Sequence, residues 1–319
     1  MVGRKLVDRL VGAPRILGPA ITRLTLYDIV RPQVPETAAI DVRANVGDLG
    51  DPASAPAVIA PRPDLIVHLA AVVSGEAEAD FEKGYSANFD GTRYLLEAIR
   101  TAGADYRPRL VFSSSIAVFG APFPDRITDD FFCTPLTSYG TQKAASELLL
   151  SDYTRRGFLD GIGIRLPTIC VRPGAPNRAA SGFFSNIIRE PLVGKQAVLP
   201  VDESVRHWFA SPRSAVDFLI HAATLDSERV GARRNLTMPG VSATVAEQIE
   251  ALRAVAGDEA VALIRRERDP QIERMVDGWP RDFAPQRALS LGFSAEHSFE
   301  EIVRVHVDEE LGGRIGPGG

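Results

Sequence analysis

Short apolar runs alternate with longer amphipathic stretches through the first half of the chain, and no other feature restricts its fold as much. RLTLYDIV (Arg23 to Val30), DVRANVGDL (Asp41 to Leu49), DLIVHLAAVV (Asp64 to Val73), RLVFSSS (Arg109 to Ser115) and GIGIRLPTI (Gly161 to Ile169) read as strands. Between them, NFDGTRYLLEAIRTAG and SYGTQKAASELLLSDYTRRG carry apolar residues at helical spacing, and each ends in glycine. Units of strand, helix and strand build a parallel sheet covered on both faces.

With 319 residues, 45% of them hydrophobic, the chain has material for more than one core, and a large domain with a smaller companion is expected. After Pro173 the texture changes to a loop rich in Gly, Pro, Asn and Arg, RPGAPNRAASG. The expected division is 1–170 as the sheet domain and 171–319 as mainly a substrate-binding domain. Residues 206–232 are expected to return to the sheet through the helix-like SPRSAVDFLIHAATLD. In TVAEQIEALRAVAG, Thr244 with Glu247 three residues later is a capping-box pattern.

Thirty-six basic against 41 acidic residues give a net charge of −5 with no long basic block, which argues against nucleic acid as a partner. His68, Glu76, Asp217 and similar residues interrupt every apolar run before it reaches the roughly 18 residues of a membrane span. The opening MVGRKLVDRL has neither the apolar core nor the cleavage site of a signal peptide. Cys133 and Cys170 have no metal-ligand spacing around them, so no metal is expected, and reduced thiols in a cytoplasmic protein fit best.

Chemistry concentrates at Tyr139-Gly140-Thr141-Gln142-Lys143, which opens a predicted helix 24 residues after Ser115. Tyr139 and Lys143 lie four apart on one helix face, so the ammonium can draw the phenol down from its ordinary pKa of about 10. Tyr139 is thereby a candidate general base. Y-x-x-x-K alone is a weak signal; placed after a strand that ends in Ser113, Ser114 and Ser115, it is a strong one.

In these motifs the chain resembles the extended short-chain dehydrogenase/reductases, the superfamily of nucleotide-sugar epimerases and dehydratases. HLAA (His68 to Ala71) after a strand, NFDGT (Asn88 to Thr92) opening a helix and LGFSAEHSFEEIVR near the C-terminus extend the likeness over nearly the whole chain. The resemblance implies a Rossmann-like doubly wound parallel sheet with a smaller C-terminal substrate domain, and NAD as cofactor. It implies Ser115, Tyr139 and Lys143 as the catalytic residues. It further implies an NAD site lined by Gly3, Asp48, Leu49, Leu69, Ala70, Ala71, Asn88, Ser113, Pro167 and Ile169, together with Tyr139 and Lys143. Asp28 ends the strand LTLYD, where a Rossmann fold places an acid on the adenosine ribose. A carboxylate there repels a 2′-phosphate and favours NAD over NADP, with Arg31 a mild counter-signal.

The chain departs from the family pattern at its start. Gly3 can be the third glycine of G-x-x-G-x-x-G, but the first strand and most of the glycine-rich loop are missing from this chain. The expectation is that in-frame codons upstream of Met1 encode a Val/Ile-rich strand and two glycines in G-x-x-G spacing. Without that strand its two neighbours are expected to stand apart with unpaired backbone between them. Thr168 occupies the position where nucleotide-sugar enzymes often carry an Asn, which argues mildly against a nucleotide-sugar substrate.

Longer strings, among them IRLPTICVRPGAPN and GFFSNIIREPLVGKQAVLPV, are similar to a branch of the superfamily that oxidises a small sugar acid at C2. Ser74, Ser115, Asn177, Arg178 and Arg206 are expected to contact such a substrate, and Arg172 is a further cation in the same stretch as Arg178. The guanidinium fork suits a carboxylate as well as a diphosphate. Two other readings stay open: a nucleotide-sugar epimerase or dehydratase, and a non-catalytic NAD-binding protein. A homodimer is compatible with the sequence.

Overall fold

The computed structural model describes residues 1–36, 40–174 and 181–316. Helix α1 (Val2–Gly12) leads to strands β1 (Arg23–Asp28), β2 (Asp41–Val46) and β3 (Leu65–His68). Then come α2 (Gly91–Thr101), β4 (Arg109–Ser115), α3 (Ser138–Arg155), β5 (Asp160–Leu166) and β6 (Thr168–Ile169). The second half contributes α4 (Gly182–Leu192), β7 (Ala197–Leu199), β8 (Arg206–Ala210), α5 (Pro212–Thr224), β9 (Asn235–Thr237), β10 (Val241–Thr244), α6 (Val245–Val261), β11 (Ile264–Arg266) and α7 (Phe299–Glu310). Pairings among β1 to β5 and β9 are all parallel, as crossover connections through helices require. No described helix is long and apolar enough to cross a membrane.

Along β4 the side chains alternate between two cores. Leu110 and Phe112 join Leu95, Leu96 and Ile99 of α2 and Leu150 of α3. Val111 joins Leu6 and Leu10 of α1 and Val216 and Leu219 of α5. α5 is there because the chain comes back to the sheet, after which β9 pairs with β5. A separate core gathers Phe184, Ile187 and Ile188 of α4, Phe209 of β8, Leu252 of α6, and Ile302 and Val303 of α7. α6 opens with the capping box its sequence announces: Thr244 Oγ1 accepts from the Glu247 N–H at 3.1 Å, and the Glu247 carboxylate from the Thr244 N–H at 2.6 Å.

The doubly wound sheet is in two pieces. One is β2-β1 and the other β3-β4-β5-β9, with no backbone pairing between β1 and β3 among the described residues. In the strand order 3-2-1-4-5-6 of such sheets, β1, β2 and β3 take the second, third and fourth places. The break therefore falls where the first strand of that order belongs. Burial follows the break: no residue of β1 or β2 is buried, whereas β4 and β5 are buried along most of their length. α1 covers the break from one side, in a cluster that takes in Leu24 of β1 and Leu65 and Val67 of β3.

Backbone groups on the facing edges of β1 and β3 have no strand partner among the described residues. Hydrogen exchange followed by mass spectrometry should show β1 and β2 exchanging like loops while β4 and β5 stay protected. Fusing a Val/Ile-rich strand with G-x-x-G spacing ahead of Met1 should slow exchange in β1. Slow exchange through β1 in the unextended chain would contradict this account of the break.

Candidate active site

Hydrogen bonds converge on the carboxyl end of β4. Ser113 Oγ donates to the His68 carbonyl at 3.1 Å, tying β4 to β3, and the Ser113 carbonyl accepts from Lys143 Nζ at 2.9 Å. Ser114 Oγ donates to the Glu147 carboxylate at 2.5 Å. Ser115 Oγ accepts from the Ala117 N–H at 3.1 Å, and its hydroxyl is near enough to the Tyr139 phenol to lower its proton affinity.

α3 reaches this point for two local reasons. Its N-cap, Thr137, accepts from the Gly140 N–H at 3.1 Å. Residue 140 also has no side chain, and a Cβ there would stand 2.1 Å from the Ala117 carbonyl oxygen. Glycine thus lets the first turn of α3 lie against the segment after Ser115, with the phenol beside the serine. One turn on, the Lys143 ammonium sits 5.8 Å from the centre of the Tyr139 ring and 4.8 Å from that of Phe112. The three residues singled out as catalytic from the sequence are thereby brought together.

Burial sets the protonation of the pair. It pushes the Tyr139 phenol up to about 12, against the pull of the Ser115 hydroxyl, and lowers the Lys143 ammonium to about 8, against the attraction of Glu147. The expected drawing-down of the phenol by Lys143 is absent: desolvation and Ser115 act on the phenol, and the ammonium donates instead to the Ser113 carbonyl. His68 is held neutral, lowered to about 3 by burial and by nearby Lys143, with Nε2 3.0 Å from Thr92 Oγ1. Sequence reasoning missed Glu147, although Tyr139, Lys143 and Glu147 recur every four residues along one face of α3.

If Tyr139 is the base, Tyr139→Phe should fold normally while turnover falls by roughly 100- to 10,000-fold. Activity within a few-fold of the parent would remove it from that role. Lys143→Met deletes the positive charge beside the phenol, so the pH–rate profile should move upward, and an unchanged profile would separate the two residues.

Just past the carboxyl end of β3, Gly3 lies close enough to the chain that a Cβ on it would stand 3.5 Å from Leu69 Cδ1. α1 has neither a side-chain N-cap nor an acid in its first turn, so its amino end can receive a phosphate. Ala70 and Ala71, which follow Leu69, are exposed. Asp28 ends β1 with its carboxylate on the Val30 N–H at 3.2 Å, leaving acceptor capacity for a ribose diol. Asp48 accepts from the Gly50 N–H at 2.8 Å, and Leu49 backs onto Gly91, where a Cβ would meet its carbonyl carbon at 3.2 Å. Leu166 pairs with Ser115, so Pro167 and Ile169 follow directly beside the serine strand. These features fit a dinucleotide laid across the carboxyl edge of the sheet.

Asn88 faces inward. It is fully buried in the π-helical turn Tyr85–Asp90, with Oδ1 accepting from the Val72 N–H at 2.8 Å. Its Nδ2 donates to the Val72 carbonyl at 3.3 Å and to Gln142 Oε1 at 2.7 Å. Asn88 therefore shapes the segment after β3 with groups already engaged.

The residues expected at the substrate are more scattered. Ser74 opens the short helix Ser74–Ala79. Arg206 is turned to Glu247 at 3.3 Å and to the Ser242 carbonyl at 3.2 Å. Asn177 and Arg178 lie outside the described residues. Arg172 is partly buried, its Nη2 on Ser181 Oγ at 3.2 Å and its carbonyl on Arg189 at 2.8 Å. Thr168 Oγ1 is 2.7 Å from Nε2 of His207, a buried ring whose Nδ1 is 2.8 Å from the Pro280 carbonyl.

A parallel α/β sheet with Ser115, Tyr139 and Lys143 gathered at its carboxyl edge and an acid ending β1 defines an NAD-dependent enzyme of the short-chain dehydrogenase/reductase class. The model of the NAD dependent epimerase/dehydratase family matches residues 1–234, and the chain belongs to that family. It is similar to the D-erythronate dehydrogenase of Cupriavidus necator, 49% identical over 290 residues that span 91% of this chain and 88% of the relative. The D-erythronate dehydrogenase of Haemophilus influenzae is 41% identical over 291 residues, 91% of either chain. A crystal structure described as the nucleoside-diphosphate-sugar epimerase from Agrobacterium tumefaciens superposes with a TM-score of 0.96 at 64% identity, covering 98% of this chain and 92% of that one.

Proposed function

We propose that the enzyme oxidises the C2 hydroxyl of a small sugar acid with NAD, taking D-erythronate to 2-dehydro-D-erythronate. The cluster of Ser115, Tyr139 and Lys143 carries the reading, in a chain 41% and 49% identical to two D-erythronate dehydrogenases. NAD, when bound, supplies the hydride acceptor. The open end of α1 at Gly3, the Asp28 carboxylate and the Leu69–Ala71 segment would hold it. Tyr139, neutral at rest, takes the hydroxyl proton once ionised, Ser115 hydrogen-bonds the reacting oxygen, and charged Lys143 offsets the cost that burial puts on the phenolate. A panel of C4 to C6 aldonates with NAD tests this. Fastest NADH formation with D-erythronate supports it, and no turnover with any aldonate overturns it.

A nucleotide-sugar epimerase is the second reading, favoured by the description of the 64% identical structure. Against it, Thr168 stands where such enzymes often carry an Asn, and its hydroxyl is engaged by His207. Tight NAD retention and protection on adding a UDP- or GDP-sugar would favour the epimerase. Redox turnover with a sugar acid excludes a non-catalytic NAD-binding role.

Asp28 should make the enzyme prefer NAD to NADP, and Asp28→Ala should narrow that preference by relieving repulsion of the 2′-phosphate. Specificity constants for both cofactors decide it, and equal use by the parent would show that Arg31 or another base dominates.

A carboxylate substrate needs a cation. Arg206 is committed to Glu247, whereas Arg172 makes no salt bridge among the described residues. Arg172→Ala should raise the KM for a sugar acid by roughly 10- to 150-fold, the equivalent of about 1.5–3 kcal/mol for a charge-assisted hydrogen bond. The uncharged polyol analogue should change little. Arg206→Ala and Arg178→Ala complete the comparison, and equal effects on acid and polyol from all three would place the carboxylate elsewhere.

A further inference from the structure

We propose that Glu147 is a positioning residue for Lys143: clamped between Ser114 and Arg165 one turn below the ammonium, it supplies the buried negative charge that keeps Lys143 protonated. The inference rests on the Tyr139/Lys143 reading above. Glu147 is 3% exposed and Arg165 11%. Glu147 Oε1 accepts from Ser114 Oγ at 2.5 Å and from Arg165 Nε at 2.9 Å, while Oε2 accepts from Arg165 Nη2 at 2.7 Å. Ser114 and Arg165 are register partners across β4 and β5. The carboxylate therefore bridges the two strands one residue short of Ser115, and the clamp fixes the strand end whose Ser113 carbonyl holds the ammonium.

Each element around Lys143 contributes differently to its charge. β3 presents His68, which is neutral, and β4 presents the Phe112 ring and the Ser113 carbonyl. α3 presents Tyr139 and Glu147. β5 presents Arg165, with Cys133 and Asp129 beyond it. Arg165 is itself fixed, over the Phe119 ring at 5.0 Å and with Nη2 3.2 Å from Cys133 Sγ. Among the described residues Glu147 is the carboxylate that acts on Lys143. Arg165 cannot shed its proton. Were Glu147 neutral, Lys143 would lose the charge that offsets its desolvation, and unlike Arg165 it can respond by deprotonating. A purely structural clamp needs no charge, since a Gln side chain can still accept from Ser114 and Arg165.

The test reads Lys143 directly. The chain has four lysines, Lys5, Lys83, Lys143 and Lys195, so protein labelled with 13C at the lysine ε carbon gives few signals, and the one lost in Lys143→Met is Lys143. In the parent its titration midpoint should lie at about 8. In Glu147→Gln it should fall by about one to three pH units, and the alkaline limb of turnover should fall with it. Glu147→Gln combined with Arg165→Met removes both charges of the buried pair, so Arg165 is not left without its partner, and it serves even where the single variant does not fold. Its midpoint should lie below the parent's, as that of Glu147→Gln does. A Glu147→Gln midpoint equal to the parent's, or a double-variant midpoint at or above it, would overturn the proposal. The titration needs no turnover: a lowered midpoint in an enzyme inactive on every aldonate supports the role of Glu147 and counts only against the proposed oxidation.

Discussion

Helix α3 approaches the end of β4 so closely at Gly140 that a methyl group there would enter the Ala117 carbonyl. That contact fixes the first turn of the helix, and two turns later Glu147 fixes it again by bridging Ser114 and Arg165. Between these anchors α3 has no freedom to rotate, so Tyr139 and Lys143 share one bearing on the serine strand. The arrangement is stiff because it is buried. The same burial keeps the phenol neutral and loosens the hold of the ammonium on its proton, so geometry and proton affinity have one physical origin.

The two pieces of the sheet are held in different ways. β3, β4, β5 and β9 are joined by continuous backbone ladders with apolar residues packed on both faces. β1 and β2 have their mutual ladder, ion pairs of Asp41 with Arg23 and Arg43, and the apolar stripe of α1. The piece that carries Asp28 therefore has the weaker attachment. Regions with few buried apolar contacts open at the low end of the stability range. Cofactor recognition at the adenosine end thus sits on a softer support than the chemistry at Ser115.

Much of this is legible in the sequence where the information is local. β3, β4 and β5 lie within apolar runs that parallel burial demands, and Tyr139 with Lys143 is a spacing rule on one helix. The break in the sheet follows from counting strands against glycines. What escapes a sequence reading is contact across the fold. The Glu147–Arg165 pair joins residues 18 apart on different elements, and Arg206 meets Glu247, 41 residues on, which no motif around Arg206 discloses. The N-x-x-G-T pattern places Asn88 near the segment after β3 but does not say that its amide is spent on Val72. The proton affinity of Tyr139 also depends on desolvation, which spacing does not report.

One hydrogen-bond relay has a chemical direction that follows from its end point. The Pro280 carbonyl can only accept, so the single proton of the neutral His207 ring, lowered to about 4 by burial, belongs on Nδ1. Nε2 is then a lone pair, and the Thr168 hydroxyl must give its hydrogen to it. The oxygen of Thr168 is left purely as an acceptor. Anything that settles against it has to bring a donor, such as an alcohol or an amide, and a carboxylate oxygen would meet lone pairs with lone pairs. The polarity of a side chain beside the serine strand is thus dictated by a proline carbonyl more than a hundred residues further along the chain.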